Sequence, residues 1–152
     1  MNHSKKQYVF LYTLFSSLGD FIIMGDVIKK TLEISPDIRC FVAHRNNPFV
    51  KNWKYADPAN YLFNVCRPFG FLTLLKKLRK AKHDGFSVFG LQQAPGSLQG
   101  FFFLRCLKWL GALDFTVDFN LYNADIVTRP QGHYILDLHL NQIKEILQID
   151  RP

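Results

Sequence analysis

The sequence predicts an α/β protein: a Rossmann-like, three-layer domain over residues 1–152 with a mostly parallel sheet of about five strands. Short runs rich in aromatic and β-branched residues alternate with longer stretches of helical period. Gly, Pro, Asn and Asp punctuate the junctions between them. The 152 residues are 48% hydrophobic and 20% charged, which suits one packed domain and excludes both a disordered chain and two large domains.

Tyr8–Leu14 is an unbroken apolar and aromatic run, the pattern of a strand buried on both faces. Ser16-Ser17-Leu18-Gly19-Asp20 ends it. Ile22, Ile23, Val27, Ile28 and Leu32 then recur at helical spacing to about Glu33, and Pro36 stops the helix. Ile38–Ala43 reads as a second strand. Asn46-Asn47-Pro48 is turn chemistry that opens a short helix towards Trp53. Tyr61–Val65 reads as a third strand, closed by Arg67-Pro68-Phe69-Gly70. Phe71–Lys82 is an amphipathic helix with Phe71, Leu74, Leu75 and Leu78 inward and Lys76, Lys77, Arg79, Lys80 and Lys82 mostly outward. Phe86–Leu91 is a fourth strand, Leu98–Leu110 a helix and Phe115–Phe119 a fifth strand. A polar stretch, 120–132, precedes a last helix near Tyr134–Leu147. Strands spaced by such helices form βαβ units with helices on both faces of the sheet.

The net charge of +7 is unevenly placed. Residues 1–82 hold 14 Lys/Arg against 5 Asp/Glu, whereas residues 83–152 hold 5 against 7. A basic first half points to an anionic partner. A nucleic acid is not expected, because no aromatic–basic RNA signature and no helix-turn-helix pattern is present. Cys40, Cys66 and Cys106 have no CxxC spacing. They read as small buried thiols in a reducing compartment, not as a disulfide frame or zinc knuckle. No apolar run reaches the roughly 18–20 residues that span a bilayer. The opening Lys5-Lys6 and apolar run imitate a signal peptide, but two Tyr and a Thr suit a strand better.

In parallel sheets ligands bind outside the carboxyl ends of the strands, so the loops at 15–20, 44–48, 66–70, 92–97 and 120–132 are the candidates. The first is neither GxGxxG nor a Walker loop. It places Asp20 beside Gly19 at a helix N-terminus. Asp20 can complement the helix dipole, with Ser17 as cap. It can instead face the cleft as a proton acceptor, with amides around Gly19 holding an oxygen or an anion. Arg67, just after the third strand, is placed for paired contacts with phosphate or carboxylate. Arg45 and His44 follow the second strand. Gln92 and Gln93 end the fourth, where amides can reach sugar hydroxyls. His133 and His139 lack a second ligand pair, so no metal and no cofactor is expected. Ser16 and Ser17 have no His partner for nucleophilic hydrolysis. The basic cluster from Lys76 to Lys82 reads as a solvated face, with anionic lipid headgroups as the alternative partner.

The segment YVFLYTLFSSLGDFIIMGDVIKKTLEISPD resembles the opening of the heptosyltransferases, glycosyltransferase family nine, whose members begin with a strand, Ser-Ser-Leu/Ile-Gly-Asp and a helix ending in a Pro-containing turn. KAKHDGFSVFGLQQAPGSLQG and FTVDFNLYNADIVT resemble later segments of the same family. The resemblance implies one half of a GT-B enzyme: the acceptor-binding half, with the donor half having no counterpart here. It implies Asp20 as general base and a basic contact to acidic or phosphorylated acceptor sugars at the loop of Arg67; Ser17, Gly19, Gln92 and Arg45, by their places after the strands, are the other candidate acceptor contacts. The implied reaction is inverting transfer from a nucleotide sugar to a phosphorylated or glycolipid acceptor of lipopolysaccharide type, in the bacterial cytoplasm at the inner membrane. A lone half would act as a binding module without turnover, because it cannot position both substrates. Met24-Gly25-Asp26 departs from the family, which has Thr/Pro residues shortly after the motif.

Overall fold

The computed structural model describes residues 6–15, 18–35, 37–48, 60–92, 98–118, 124–128, 132 and 134–150. In chain order the elements are β1 (Tyr8–Leu14), α1 (Leu18–Ile34), β2 (Ile38–His44), β3 (Asn60–Asn64), α2 (Pro68–His83), β4 (Ser87–Leu91), α3 (Leu98–Trp109), β5 (Phe115–Asp118), β6 (Ile126–Val127) and α4 (Ile135–Asp150). All strand pairs are parallel, in the order β3-β2-β1-β4-β5-β6. This is an α/β Rossmann-like fold.

The central strand shows why its run is unbroken. β1 pairs with β2 on one side (Phe10 opposite Cys40) and β4 on the other (Phe10 opposite Phe89), and all seven of its residues are buried. Alternate side chains serve opposite layers. Tyr8, Phe10, Tyr12 and Leu14 pack with Met24, Val27 and Ile28 of α1 and Ile143 and Ile146 of α4. Val9 and Leu11 pack with Leu74 and Leu78 of α2 and Leu104 and Leu107 of α3. Each such buried Leu contributes about 1.5–3 kcal/mol. The Tyr12 hydroxyl in the first layer is satisfied: it lies 3.4 Å from Thr31 Oγ1, which itself donates to Val27 O.

The sheet has six strands where the sequence predicts about five. The sixth forms inside the polar 120–132 stretch because Asp125 ties it to β5. Its Oδ2 accepts from the Thr116 N–H (2.8 Å) and hydroxyl (3.0 Å), and Oδ1 pairs with Lys108 of α3. Burial works against ionising this carboxyl, but the Lys108 and Thr116 donors outweigh it and hold the pKa below the ordinary value. The Val117–Ile126 and Asp118–Val127 pairs follow.

The amphipathic reading of α2 holds. Leu74 and Leu78 are buried, Phe71 and Leu75 half-buried, and Lys76, Arg79 and Lys80 exposed. Its C-terminus closes on Gly85, whose φ of 92° only glycine adopts readily, so that the Phe86 N–H returns to Ala81 O at 3.0 Å. α1 runs uninterrupted through the buried Gly25, with Asp26 at the surface. The thiol expectation is corrected at two positions. Cys40 is buried and its thiol is pushed well above its ordinary pKa by desolvation, but Cys66 and Cys106 are exposed. Among the described residues no helix is long and apolar enough to cross a membrane.

Candidate functional site

The chain leaves β1 towards β2 and β3, then returns to place β4 on the other side of β1. The helices that follow β1 and β4 lie on opposite faces of the sheet, which makes the carboxyl ends of these two neighbouring strands the switch point, where ligands bind in sheets of this kind. Gly19 and Asp20 lie in the first turn of α1, on the β1 side of this switch point. Ser17, Gln93 and the rest of the 93–97 loop lie outside the described residues.

Arg45 joins three of the edge loops. It follows β2, its guanidinium stands 5.9 Å from the centroid of the Phe15 ring after β1, and its Nη1 donates to Oε1 of Gln99 in the first turn of α3. Its side chain thus crosses the β1 loop to the helix that follows β4. Beside it, burial holds the His44 imidazole below the ordinary histidine pKa, and the Asn47 N–H donates to its Nδ1 at 3.4 Å. That contact requires neutral imidazole.

A clasp fixes the β2 and β3 ends together. Asn64 Oδ1 accepts from the backbone N–H groups of Asn46 and Cys66, both at 3.2 Å, and its amide donates to Asn46 Oδ1 at 2.7 Å. Asn46 has φ 44°, a left-handed conformation that Asn tolerates better than most residues. α2 starts directly against this clasp. Pro68 occupies its first turn, where no N–H partner is needed, and Arg67 is the N-cap residue without a side-chain capping bond. The Arg67 side chain is exposed at an N-terminus whose first turn holds no carboxylate. Positive dipole and free-standing guanidinium together favour an anion there.

On the far side of the switch point, Gln92 and Asp118 end β4 and β5. Both are 2% exposed. With Arg105 and Thr116 they border a cavity of about 10 Å³, the size of one water. The Asp118 carbonyl accepts the Thr128 N–H (3.0 Å), and Gln142 of α4 donates to the Thr128 hydroxyl (2.9 Å). Position 142 thus braces the β6 end from below. The second core histidine, His139, is buried on α4, and His133 lies outside the described residues.

Of the residues singled out in the sequence, Arg45 and Arg67 are exposed at the carboxyl edge and Gln92 is buried there; the side chain of Asp20, the candidate base, lies outside the described residues. The sequence reading missed Asp118, Asn64 and Gln99. Asp118 carried the same signal as Gln92, a polar residue closing an apolar strand. Asn64 and Gln99 carried none, because their roles exist only once two loops meet.

The strand order and the helices on both faces define a doubly wound α/β domain with its switch point between β1 and β4. Among solved structures, the chain is similar to a glycosyl transferase of family 9 from Veillonella parvula DSM 2008, with TM-score 0.58 and 14% identity over 94% of this chain and 42% of that one. It is also similar to S. aureus MnaA in a co-structure with UDP, with TM-score 0.57 and 10% identity over 96% of this chain and 38% of that one. The likeness is therefore one of fold, a glycosyltransferase-like one, and the chain spans less than half the length of either structure. A scan of family models and a search of curated proteins give no match.

Proposed function

We propose that this chain supplies the acceptor-binding half of an inverting glycosyltransferase of heptosyltransferase type. Asp20 is the general base. An acceptor hydroxyl attacks the anomeric carbon of a nucleotide sugar. As that bond forms, the bond to the nucleoside diphosphate breaks on the opposite face, and Asp20 takes the hydroxyl proton. The observation that supports this reading is the backbone position of Asp20, in the first turn of α1 at the carboxyl end of β1, beside the switch point. Arg45 and Arg67 offer charge to a phosphorylated or acidic acceptor of lipopolysaccharide type. Ser17 and Gly19 hold an acceptor oxygen; Gln92, read from the sequence as a further acceptor contact, is buried at the end of β4 and would need to be uncovered to reach one. Donor contacts come from a second unit carrying the nucleotide site, and the reaction belongs at the cytoplasmic face of the inner membrane.

The test is transfer from labelled nucleotide sugars to a deacylated lipopolysaccharide core, with and without a separately produced donor-binding unit. Turnover is expected on complementation. Asp20→Asn should lower it by about 10²–10⁴-fold while leaving acceptor binding in place. Arg45→Ala should weaken acceptor binding instead. Full turnover by Asp20→Asn would end the assignment.

A further inference from the structure

The two helical layers differ sharply in charge. α2 and α3 hold seven Lys/Arg and no Asp or Glu. α1 and α4, on the opposite side of the sheet, hold three Lys and six carboxylates. The helices of the basic layer lie side by side. The Phe71 ring in the first turn of α2 meets the Phe103 ring at the middle of α3 at 6.3 Å, and Arg79 Nε reaches Leu110 O, just past the end of α3, at 3.0 Å. Their solvent stripes therefore form one surface.

That surface is also unusually apolar. The α3 stripe reads Leu98, Phe102, Arg105, Trp109, at spacings of four, three and four. Phe102 is 64% exposed and Trp109 85%. The α2 stripe begins with Phe69, 85% exposed, and Leu72, then continues as Lys76, Arg79 and Lys80. Rings and aliphatic chains stand among cations; the two helices carry no carboxylate, and Lys80, Lys82 and Lys108 pair with Asp84, Asp114 and Asp125 outside them. On the flank of α2 a cavity of about 210 Å³ is bordered by Arg39 and Lys77 and by Lys80, which pairs with Asp84 at 2.8 Å.

We infer that the α2–α3 face docks on an anionic lipid surface. Interfacial binding needs this combination: aromatic and aliphatic groups that enter the headgroup–acyl boundary, and Lys/Arg that meet lipid phosphates. The charge partition selects an anionic surface, and a Trp beside exposed Phe and Leu suits the bilayer interface. The stripes begin at the carboxyl edge of the sheet, where α2 and α3 start, so a docked molecule holds that edge beside the lipid. The inference uses no residue assigned to the transfer reaction, and its test reads vesicle binding alone.

The full chain is sedimented with vesicles of phosphatidylcholine, pure or mixed with phosphatidylglycerol. Binding is expected to the mixed vesicles only, to fall with added salt, and to shift tryptophan emission to the blue. Each exposed cation near such a surface contributes about fivefold, so Lys76→Glu/Lys80→Glu/Arg105→Glu should lower partitioning at least about 100-fold. Trp109→Ala should weaken it and remove most of the emission shift. Lys29→Glu/Lys30→Glu, on α1, should leave it unchanged, which separates a specific face from overall charge. All these side chains are exposed, and circular dichroism verifies folding. Equal binding to neutral vesicles would overturn the inference, as would equal damage from the α1 pair. So would absence of binding to the mixed vesicles, and self-association or oligonucleotide binding through the same residues would then identify the other occupant.

Discussion

Replacing Gly70 with Ala tests how α2 is seated at the carboxyl edge. A Cβ at this position would stand 2.0 Å from the carbonyl oxygen of Asn64 and 2.9 Å from its carbonyl carbon. A relaxed carbon–oxygen contact is roughly 3.3 Å. The obstacle is main chain at the end of β3, fixed next door by the Val65 N–H on His44 O at 3.0 Å. It cannot rotate aside, so the first turn of α2 must lift by about 1 Å and carry Arg67 with it. Overpacking of this kind costs about 1–3 kcal/mol, and a forced main-chain shift belongs at the upper end. Better helix propensity returns at most about 1 kcal/mol. The net expectation is a loss of about 2 kcal/mol, or about 4–8 °C in Tm for a chain of this size. Gly90→Ala is the internal control. Its Cβ would meet Leu113 Cδ1 at 2.7 Å and Leu104 Cδ2 at 2.8 Å, both ends of flexible side chains, and should cost about 1 kcal/mol or less. Urea unfolding of both variants measures the difference. A Gly70→Ala midpoint equal to that of the parent, or a smaller loss than for Gly90→Ala, would refute the argument.

Two further outcomes follow from the same edge. Asn64→Ala removes one acceptor serving two backbone N–H groups, so it should cost about 1 kcal/mol and speed hydrogen exchange at Asn46 and Cys66; unchanged exchange at both amides would dismiss the clasp. Because His44 has a depressed folded pKa, its contribution is fully present above the unfolded histidine value of roughly 6.5 and is lost as pH falls through the folded value. Stability should therefore drop below about pH 6.5 with a slope from this group of at most about 1.4 kcal/mol per pH unit. His44→Gln should flatten that part of the curve, and identical pH profiles for the two proteins would remove His44 from the account.

Much of this fold was legible because burial writes itself into local pattern. Tyr8–Leu14 is apolar at every position because both faces are covered, and its predicted and observed limits coincide. Strand ends were harder where a polar residue closes the run: β3 begins and ends one residue earlier than its apolar stretch, because Asn60 and Asn64 join the ladder through main-chain groups. β6 was illegible, since two residues have no period and their pairing depends on Asp125 reaching Thr116 and Lys108. The exposure of Cys66 and Cys106 was misread because residue type alone was used; Cys66 sits in a turn and Cys106 on the solvent side of α3. At the carboxyl edge, single loops announced Arg45, Arg67 and Gln92. The Arg45–Gln99 contact spans 54 positions and belongs to the strand order, which local pattern does not encode.

The place of β1 between β2 and β4 also bears on how the chain comes off the ribosome. One flank can be covered once residues 38–44 have been made, but the other waits for residues 87–91. At ordinary elongation rates of about 5–20 residues per second, the most greasy strand of the molecule spends roughly 4–15 seconds with an open main-chain edge. The nascent protein must be shielded, by chaperones or by its own early helices, for longer than most small domains need to fold.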